Sequence, residues 1–289
     1  MDSATISFPL FGEGFSFNIP GYIRIFGYNI YLYGLLITAG FILAALYLLK
    51  RSQALGLTKD NILDLVIMAV PFGLLGARIY YIVFNASHYF GAGKWRNMFM
   101  IREGGLAVYG GVIGGAIAFY VYSRVKKMPV GKLWDAAAFG LFIGQAVGRW
   151  GNFVNREAFG VETSVPWKMG LTLGTRTVYV HPTFLYECLW NIVGFVLLHI
   201  ISKKWERKFY GQFFTFYVAW YGLGRYMIEG LRTDSLYITG TDIRISQLLA
   251  ALSFSVAVIV LIRKHFQNRE GFREGLQLKT ENEELKIKA

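Results

Sequence analysis

Three arginines lie in or at the ends of long apolar runs, where a charged side chain needs either a partner or a function. They are Arg78, Arg149 and Arg225. Placing an arginine at the centre of a bilayer costs from about 2.5 to more than 10 kcal/mol, depending on the measurement. A salt bridge between helices, or a side chain that reaches back to the interface, would account for any one of them. Arginines that converge would instead suit a phosphate, which guanidinium groups bind through paired N–H donors.

Polar side chains accompany each of these arginines at the spacing of a helix face. Residues three or four positions apart lie on one side of an α-helix. The three sets are Arg78, Tyr81 and Asn85; Arg149, Asn152 and Arg156; and Tyr221, Arg225, Glu229 and Arg232. They predict three polar helix faces at the same outer depth, suited to an anionic, phosphate-bearing ligand. Glu229 either only neutralises Arg225 one turn earlier, which we favour, or also orders it for catalysis.

The apolar runs are each about as long as a membrane-spanning helix, which needs about 20 mostly apolar residues. Hydrophobic residues make up 54% of the chain and charged residues 17%. The runs fall near residues 30–49, 62–84, 105–122, 133–150, 183–201, 211–229 and 246–262. Because lipid offers the backbone no hydrogen-bond partner, each run is expected to be a helix. We therefore predict an all-α polytopic membrane protein with about seven transmembrane helices.

Lysine and arginine are about twice as frequent in the loops on one side of the predicted bundle as in those on the other. The positive-inside rule then places the N-terminus outside and the C-terminus in the cytoplasm. The same short basic loops account for the net charge of +12, so nucleic acid is not an expected partner.

The chain is expected to divide into a transmembrane core over residues 1–262 and a charged cytoplasmic tail over 263–289. Residues 1–29 are expected to be an amphipathic or looped lead-in at the membrane surface, without a cleavable signal peptide. Apolar residues alternate between Trp167 and Leu173, which is typical of a β-strand. We therefore expect a small β-containing cap on the outer face at about 151–182.

The sequence does not predict a metal site or a nucleophilic side chain of the protein itself. The four histidines, His88, His181, His199 and His265, lack the spacing of metal ligands. Cys188 lies in an apolar run, where nothing favours its thiolate, so we do not expect it to be a nucleophile. No metal and no cofactor are predicted.

Several motifs carry a resemblance to a known family. The stretch Gly148-Arg149-Trp150-Gly151-Asn152-Phe153-Val154-Asn155-Arg156-Glu157, followed by Phe159-Gly160, resembles the signature G-R-x-G-N-F-x-N-x-E-x-x-G of the bacterial prolipoprotein diacylglyceryl transferases. Further matches are Leu32-Tyr33-Gly34, Gly76-Ala77-Arg78-Ile79-Tyr80-Tyr81, Glu103-Gly104-Gly105-Leu106, His181-Pro182, Leu185-Tyr186-Glu187 and Tyr221-Gly222-Leu223-Gly224-Arg225. The resemblance extends to about residue 262.

The resemblance implies a specific reaction. The enzyme would take the diacylglyceryl group of phosphatidylglycerol and join it, through a thioether, to the lipobox cysteine of a prolipoprotein, and glycerol phosphate would leave. The reaction would take place in the bacterial cytoplasmic membrane, at an active site that faces outward. The nucleophilic sulfur would belong to the substrate.

Site residues follow from the same resemblance. Arg149 would bind the lipid headgroup, Arg225 would disperse charge on the departing phosphate, and Glu229 would hold Arg225. Further expected phosphatidylglycerol-binding residues are Asn152, Arg78, Tyr33, Tyr221 and Gly160.

The third apolar run departs from part of the family. Some relatives carry a histidine there, for which a role as general base has been considered, whereas this chain has Tyr109. A tyrosine with a pKa of about 10 is a poor base at neutral pH. We predict that Tyr109 hydrogen-bonds or orients the substrate; the alternative is that the base lies elsewhere.

Two other classes of function are open to such a chain. The arginines could form the selectivity ring of an anion transporter or channel. The chain could also be a non-catalytic scaffold packed through its glycines. Transport would require polar faces that continue to the cytoplasmic ends of the helices, and a scaffold would leave the Arg/Asn and Arg/Glu faces unexplained. The transferase is therefore favoured.

Overall fold

The computed structural model describes residues 5–12, 14–89, 95–100 and 104–288, and long helices make up most of it. In this part of the chain the long helices are α1 (Leu32–Arg51), α2 (Lys59–Phe84), α4 (Val108–Val125), α5 (Val130–Asn155), α6 (Thr183–Lys204), α7 (Gln212–Glu229) and α8 (Ile245–Lys288), and the short α3 (Ala86–Tyr89) follows α2. Each of the seven predicted apolar runs is confirmed as a helix.

Four of these helices are long and apolar enough to cross a membrane. They are α1, α2, α6 and the part of α8 from Ile245 to Gln267. Of the other three, α5 contains Lys132, Asp135 and Arg149, and α4 and α7 are rich in glycine and tyrosine, which lowers their hydropathy. The chain is thus a mostly helical protein with several membrane-length helices, and the number of seven spans stays a prediction.

Two small sheets accompany the helices. The strands β1 (Thr5–Ser7), β2 (Ser16–Phe17), β5 (Met169–Leu173) and β6 (Arg176–Val180) form an antiparallel sheet in the order β2-β1-β5-β6. The strands β3 (Tyr22–Ile25) and β4 (Tyr28–Tyr31) form a hairpin directly before α1. The strand predicted near 167–173 is therefore present.

The N-terminal residues differ from the expected amphipathic or looped lead-in. Their described part contains β1, β2, β3 and the start of β4. Ile6 of β1 pairs with Leu171 of β5, far along the chain. A three-residue strand is too short for a recognisable alternation of apolar residues, so this pairing has no local signal.

The chain divides into two compact units, residues 1–44 with 138–289, and residues 45–137. In the second unit, α2 and α4 approach through glycines. A Cβ placed on Gly76 would lie only 2.9 Å from the Cα of Gly114. Small residues at four-residue spacing allow such close helix packing in lipid, as their spacing in α4 predicts.

In the first unit, the four-stranded sheet packs on the end of α5 and the start of α6. The shared core consists of Ile6, Phe153, Met169, Val180 and Phe184. Phe153 belongs to the last turn of α5 and Phe184 to the first turn of α6. The sheet therefore fixes these two helix ends relative to each other.

A reciprocal pair of tryptophans joins α6 to α7. The rings of Trp190 and Trp220 stack with their centroids 4.5 Å apart. Each indole N–H donates to the main-chain carbonyl of the other residue at 2.9 Å. The rings occupy space that glycine leaves open, because a Cβ on Gly194 would lie 2.5 Å from Nε1 of Trp220. The pair fixes the axial register of α6 against α7.

Replacing Trp190 with phenylalanine removes its N–H donor and therefore the side-chain hydrogen bond to the carbonyl of Trp220. We expect the free energy of unfolding to fall by about 0.5–1.5 kcal/mol, the net contribution of one hydrogen bond. Thermal unfolding in detergent micelles measures the change. Trp205→Phe is the matched control because its side chain is 69% exposed. Equal stability of the two variants would contradict the structural role of the pair.

Candidate functional site

The carboxylate of Glu187 is shared by three arginines from three parts of the first unit. Its Oε2 is ion-paired with Arg149 of α5. Its Oε1 lies 3.2 Å from Nη1 of Arg225 in α7 and 3.2 Å from Nη1 of Arg232, just beyond α7. The Glu187 side chain is only 4% exposed. A carboxylate this buried stays charged only when opposite charges surround it, so the four side chains form one electrostatic unit.

Glu229 binds Arg225 from the other side. Its Oε2 lies 2.5 Å from Nη2 of Arg225, close enough for an ion pair although not aligned as a hydrogen bond. The predicted neutralisation of Arg225 one turn away is therefore present. The main-chain carbonyl of Glu229 also accepts a hydrogen bond from Arg244. Arg225 is thus held between two buried carboxylates.

Asp234 completes the charge balance of the cluster. Its two carboxylate oxygens accept from Nε and Nη2 of Arg232 at 2.9 and 2.6 Å. These hydrogen bonds hold the pKa of the Asp234 carboxyl below its usual value. Burial alone would lower the pKa of Arg232, but the bond to Asp234 and the charge of Glu187 raise it, so both partners stay ionised.

The cluster contains three arginines and three carboxylates, so its formal charge is zero. They are Arg149, Arg225, Arg232, Glu187, Glu229 and Asp234. An incoming anion would therefore have to share Arg149 or Arg225 with a carboxylate that is already bound.

Asn152 extends the cluster toward the surface. Its Oδ1 accepts from Nη1 of Arg149 at 3.2 Å, and its Nδ2 donates to Oε1 of Glu157 at 2.9 Å. The side chain of Glu157 is exposed. A continuous polar path therefore runs from buried Glu187 through Arg149 and Asn152 to an open carboxylate.

The two predicted tyrosines of this unit lie next to cluster residues. The ring of Tyr33 in α1 lies against Gly151 of α5, because a Cβ on that glycine would be 2.5 Å from the Tyr33 ring. Tyr221 precedes Arg225 by one turn of α7, and its ring stacks on Tyr217 with the centroids 5.8 Å apart.

Gly160 lies where three chain segments meet. Its N–H donates to the carbonyl of His181 at 2.9 Å, and it forms a β-bridge with Arg232. A Cβ on Gly160 would lie 2.7 Å from the Cβ of His181 and 2.9 Å from the carbonyl oxygen of Leu231. Close packing within the protein therefore requires glycine here, in addition to its expected contact with the lipid, which stays a prediction.

Three residues of the predicted polar faces lie beyond the ends of their helices. Arg156 follows α5 with a φ of 53°, and it donates to the carbonyls of Val154 and Ile19. Its predicted place on one helix face with Arg149 and Asn152 is therefore wrong, because the helix ends at Asn155.

Asn85 and Arg232 likewise follow the last residues of α2 and α7. Asn85 donates to the carbonyl of Tyr81 within its own helix end. Arg232 still forms an ion pair with Glu187. Its position follows from the β-bridge to Gly160 and not from the face of α7.

Arg78 belongs to the second unit, where backbone carbonyls surround its guanidinium. It is 6% exposed and donates to the carbonyls of Asn97, Met98, Gly104 and Gly105 at 2.5 to 2.9 Å. These contacts hold the connection between α2 and α4. Contact of Arg78 with the lipid stays a prediction.

Tyr109 lies in the first turn of α4 in the same unit and is 58% exposed. Its ring centroid is 6.4 Å from that of Tyr80. Its expected hydrogen bond to the substrate stays a prediction. In the described part of the chain, no group of three His, Cys, Asp or Glu side chains is arranged to hold a metal ion.

The sequence analysis missed Glu187 and Asp234 as members of the site. Glu187 had a usable signal, because it is an ionisable residue inside an apolar run of membrane length. A carboxylate inside a membrane span is costly for the same reason as an arginine, so its position alone marks it as a candidate site residue. Asp234 lies in a loop, where a single acidic residue carries no such signal.

An apolar cleft opens beside the cluster between α5 and α6. Its volume is about 230 Å³, and its lining includes Ala146, Trp150, Cys188 and Ile192. Trp150 directly follows Arg149, and Cys188 directly follows Glu187. The site therefore combines buried charge with an adjacent apolar surface.

Comparisons with known proteins match this chain over most of its length. Residues 20–263 match the family model of the prolipoprotein diacylglyceryl transferases. Three relatives bear the name phosphatidylglycerol–prolipoprotein diacylglyceryl transferase. The protein of Clostridioides difficile is 39% identical over 250 residues, which cover 86% of this chain and 97% of the relative. That of Clostridium novyi is 40% identical over 261 residues, covering 88% and 99%. That of Oceanobacillus iheyensis is 42% identical over 250 residues, covering 83% and 86%.

Gly160→Ala tests the packing around the β-bridge to Arg232. The added methyl group must displace His181 or the Leu231 carbonyl, so we expect the free energy of unfolding to fall by about 1–3 kcal/mol, as for other overpacked sites. Thermal unfolding in detergent is the measurement. Gly115→Ala is the control, because a Cβ there meets nothing within 4 Å. An unchanged melting temperature for Gly160→Ala would contradict the close packing.

Proposed function

Since the chain belongs to the prolipoprotein diacylglyceryl transferase family, we propose that the cluster around Glu187 is the site at which it acts. The protein is a phosphatidylglycerol–prolipoprotein diacylglyceryl transferase. It transfers the diacylglyceryl group of phosphatidylglycerol to a prolipoprotein, the first step of lipoprotein maturation. The observation that carries the assignment of the site is the convergence of Arg149 and Arg225 on one buried carboxylate.

The chemistry is a displacement at carbon with phosphate as the leaving group. The sulfur of the lipobox cysteine attacks the glyceryl carbon that bears the phosphate, a thioether forms, and glycerol phosphate departs. The phosphate carries one negative charge in the lipid and gains a second when it leaves. Catalysis therefore needs positive charge that binds the departing phosphate more strongly than the lipid phosphodiester.

Arg149 and Arg225 supply that charge. Arg149 binds the phosphate of the lipid through its guanidinium, and Asn152 keeps it in position by accepting one of its N–H groups. Arg225, held by Glu187 and Glu229, faces the oxygen that becomes the new anion. Because each guanidinium already has a carboxylate partner, little reorganisation is required when the charge develops.

Glu187 sets the position of both arginines and competes with the phosphate for them. A phosphodiester carries the same single charge as a carboxylate, whereas the leaving phosphate carries two. The competition therefore weakens binding of the lipid more than binding of the departing group. Binding the departing phosphate more strongly than the lipid raises the rate of the chemical step.

The neighbouring apolar and polar residues complete the lipid site. The cleft lined by Trp150 and Cys188 accommodates part of an acyl chain. Tyr33, Tyr221 and Gly160 bound the headgroup region from α1, α7 and the cap. We propose that Arg78 also binds phosphatidylglycerol and that Tyr109 hydrogen-bonds or orients the substrate.

We infer a multi-pass topology with seven spans, the N-terminus outside and the C-terminus in the cytoplasm. The basic residues of alternate loops support it, as do the helices of membrane length. Under this topology the site faces the outer leaflet of the bacterial cytoplasmic membrane. Residues 1–262 form the catalytic core with its cap at 151–182, and residues 263–289 form a cytoplasmic tail.

A transfer assay with purified protein tests the function. The protein is incubated with phosphatidylglycerol and a lipobox peptide, and the peptide mass is followed for the gain of one diacylglyceryl group on its cysteine. A cysteine-to-serine peptide is the negative control, and an active relative is assayed in parallel. Absence of modification while the relative is active would reject the function.

Arg149→Lys tests whether the guanidinium geometry is required. A lysine retains the charge but cannot contact Glu187, Asn152 and a phosphate through paired donors. We expect kcat/KM for phosphatidylglycerol to fall by about 100- to 1000-fold, which is typical for loss of one preorganised donor. Arg176→Lys, at an exposed arginine of β6, is the matched control. A wild-type rate for Arg149→Lys would show that charge alone is sufficient.

Glu187→Gln tests the shared carboxylate. It leaves three arginines close together with one negative charge fewer, so we expect the free energy of unfolding to fall by about 3–5 kcal/mol. We also expect kcat to fall more than KM rises, because Arg149 and Arg225 lose their common anchor while gaining positive potential. Glu206→Gln, in the exposed segment after α6, is the control. A change confined to KM would contradict the positioning role.

A further inference from the structure

The transfer requires a group that accepts the proton of the substrate thiol, and the site offers four carboxylates. Three of them are bound to arginines: Glu187 to Arg149, Arg225 and Arg232, Glu229 to Arg225, and Asp234 to Arg232. Each of these three carboxylates is therefore already engaged by at least one guanidinium group and serves to hold an arginine in place.

Glu157 differs from them in its partners and in its exposure. Its Oε1 accepts from the amide groups of Asn152 at 2.9 Å and Asn155 at 3.4 Å. Across the described residues, no cation forms an ion pair with it. Its side chain is exposed, whereas Glu187 and Glu229 are buried. It is therefore accessible to a substrate, and the side chains that hold it are neutral amides.

Asn152 determines where this carboxylate lies relative to Arg149. Arginine can only donate and an ionised carboxylate can only accept, so the orientation of the bridging amide is unambiguous. Its oxygen accepts from Arg149 and its nitrogen donates to Glu157. Glu157 is thus one amide group away from the guanidinium assigned to the phosphate. With the lipid phosphate bound to Arg149, the carbon that the thiol attacks is bonded to a phosphate oxygen and therefore lies near Arg149 and Asn152.

We propose that Glu157 is the catalytic base that accepts the proton of the substrate thiol, an inference that rests on the transfer reaction and on the proposed role of Arg149. In this assignment Tyr109 orients the substrate, and the base is the carboxylate that Asn152 links to Arg149. No histidine is then required in α4.

Each bond change is accounted for. The thiol proton moves to the Glu157 carboxylate as the sulfur forms its bond to the glyceryl carbon. The bond from that carbon to the phosphate oxygen breaks, and its electron pair leaves with the phosphate. The proton on Glu157 then passes to the departing phosphate or to water, which restores the carboxylate.

The pH dependence of kcat distinguishes a base from a structural residue. The assay uses the full-length protein, phosphatidylglycerol vesicles and a lipobox peptide with one cysteine, between pH 6 and 9.5. Wild type should be nearly independent of pH over this range. For Glu157→Gln we expect a loss of about 100-fold or more at pH 7, as is typical for removal of a general base. The loss should shrink by up to about tenfold per pH unit below about pH 8.5, and little above it, as the thiol, with a pKa of about 8.5, ionises by itself.

Two further variants keep the proposal falsifiable. Glu157→Asp retains a carboxylate, so its profile should stay flat even if its rate is lower. Glu162→Gln removes another exposed glutamate of the cap and should behave like wild type. Circular dichroism and thermal unfolding verify that each variant is folded.

Several results would overturn the assignment while leaving the transferase function intact. A Glu157→Gln loss of equal size at every pH would point to a structural role, and an unchanged rate would exclude any role. A rising profile for Glu157→Asp would show that the carboxylate is not the acceptor. A high-pH recovery seen only for Tyr109→Phe would assign the base to Tyr109. Inactive wild-type protein would instead reject the proposed function itself.

Discussion

The buried carboxylate of Glu187 is the interaction on which the site depends. Its two oxygens hold three arginines that come from α5, α7 and the segment after α7. A single carboxylate in an apolar interior would be too costly without these partners, and the arginines would repel one another without it. Each charge therefore requires the others. The arrangement holds the guanidinium groups of Arg149 and Arg225 on one carboxylate, with little freedom to move.

Much of the surrounding fold keeps these charges in register. The Trp190–Trp220 pair fixes α6 against α7 close to Glu187 and Arg225. The four-stranded sheet fixes the end of α5, which carries Arg149 and Asn152, against the start of α6. The close contacts of Gly160 hold the segment that brings in Arg232. Rigid packing at all three junctions gives the positional precision that electrostatic catalysis requires.

The four carboxylates of the site differ in their hydrogen-bond and ion-pair partners. The three carboxylates bound to arginines hold those arginines in place, whereas Glu157 is exposed and accepts from the amide groups of Asn152 and Asn155. Asn152 connects the two classes because it can accept on one side and donate on the other. Four carboxylates of the same site thus differ in the groups that bind them and in their exposure.

The sequence by itself determined the helices and the family, and it singled out Arg149 and Arg225 as candidates. Hydropathy and helical spacing act over one or two turns, and the signature around Arg149 is contiguous, so local information was sufficient. It could not show that Glu187 joins Arg149 to Arg225, that Ile6 pairs with Leu171, or that Arg156 turns away from its expected helix face. These features depend on contacts between residues far apart in the chain. Only the tertiary structure decided which charges meet, because that depends on how the helices pack and where they end.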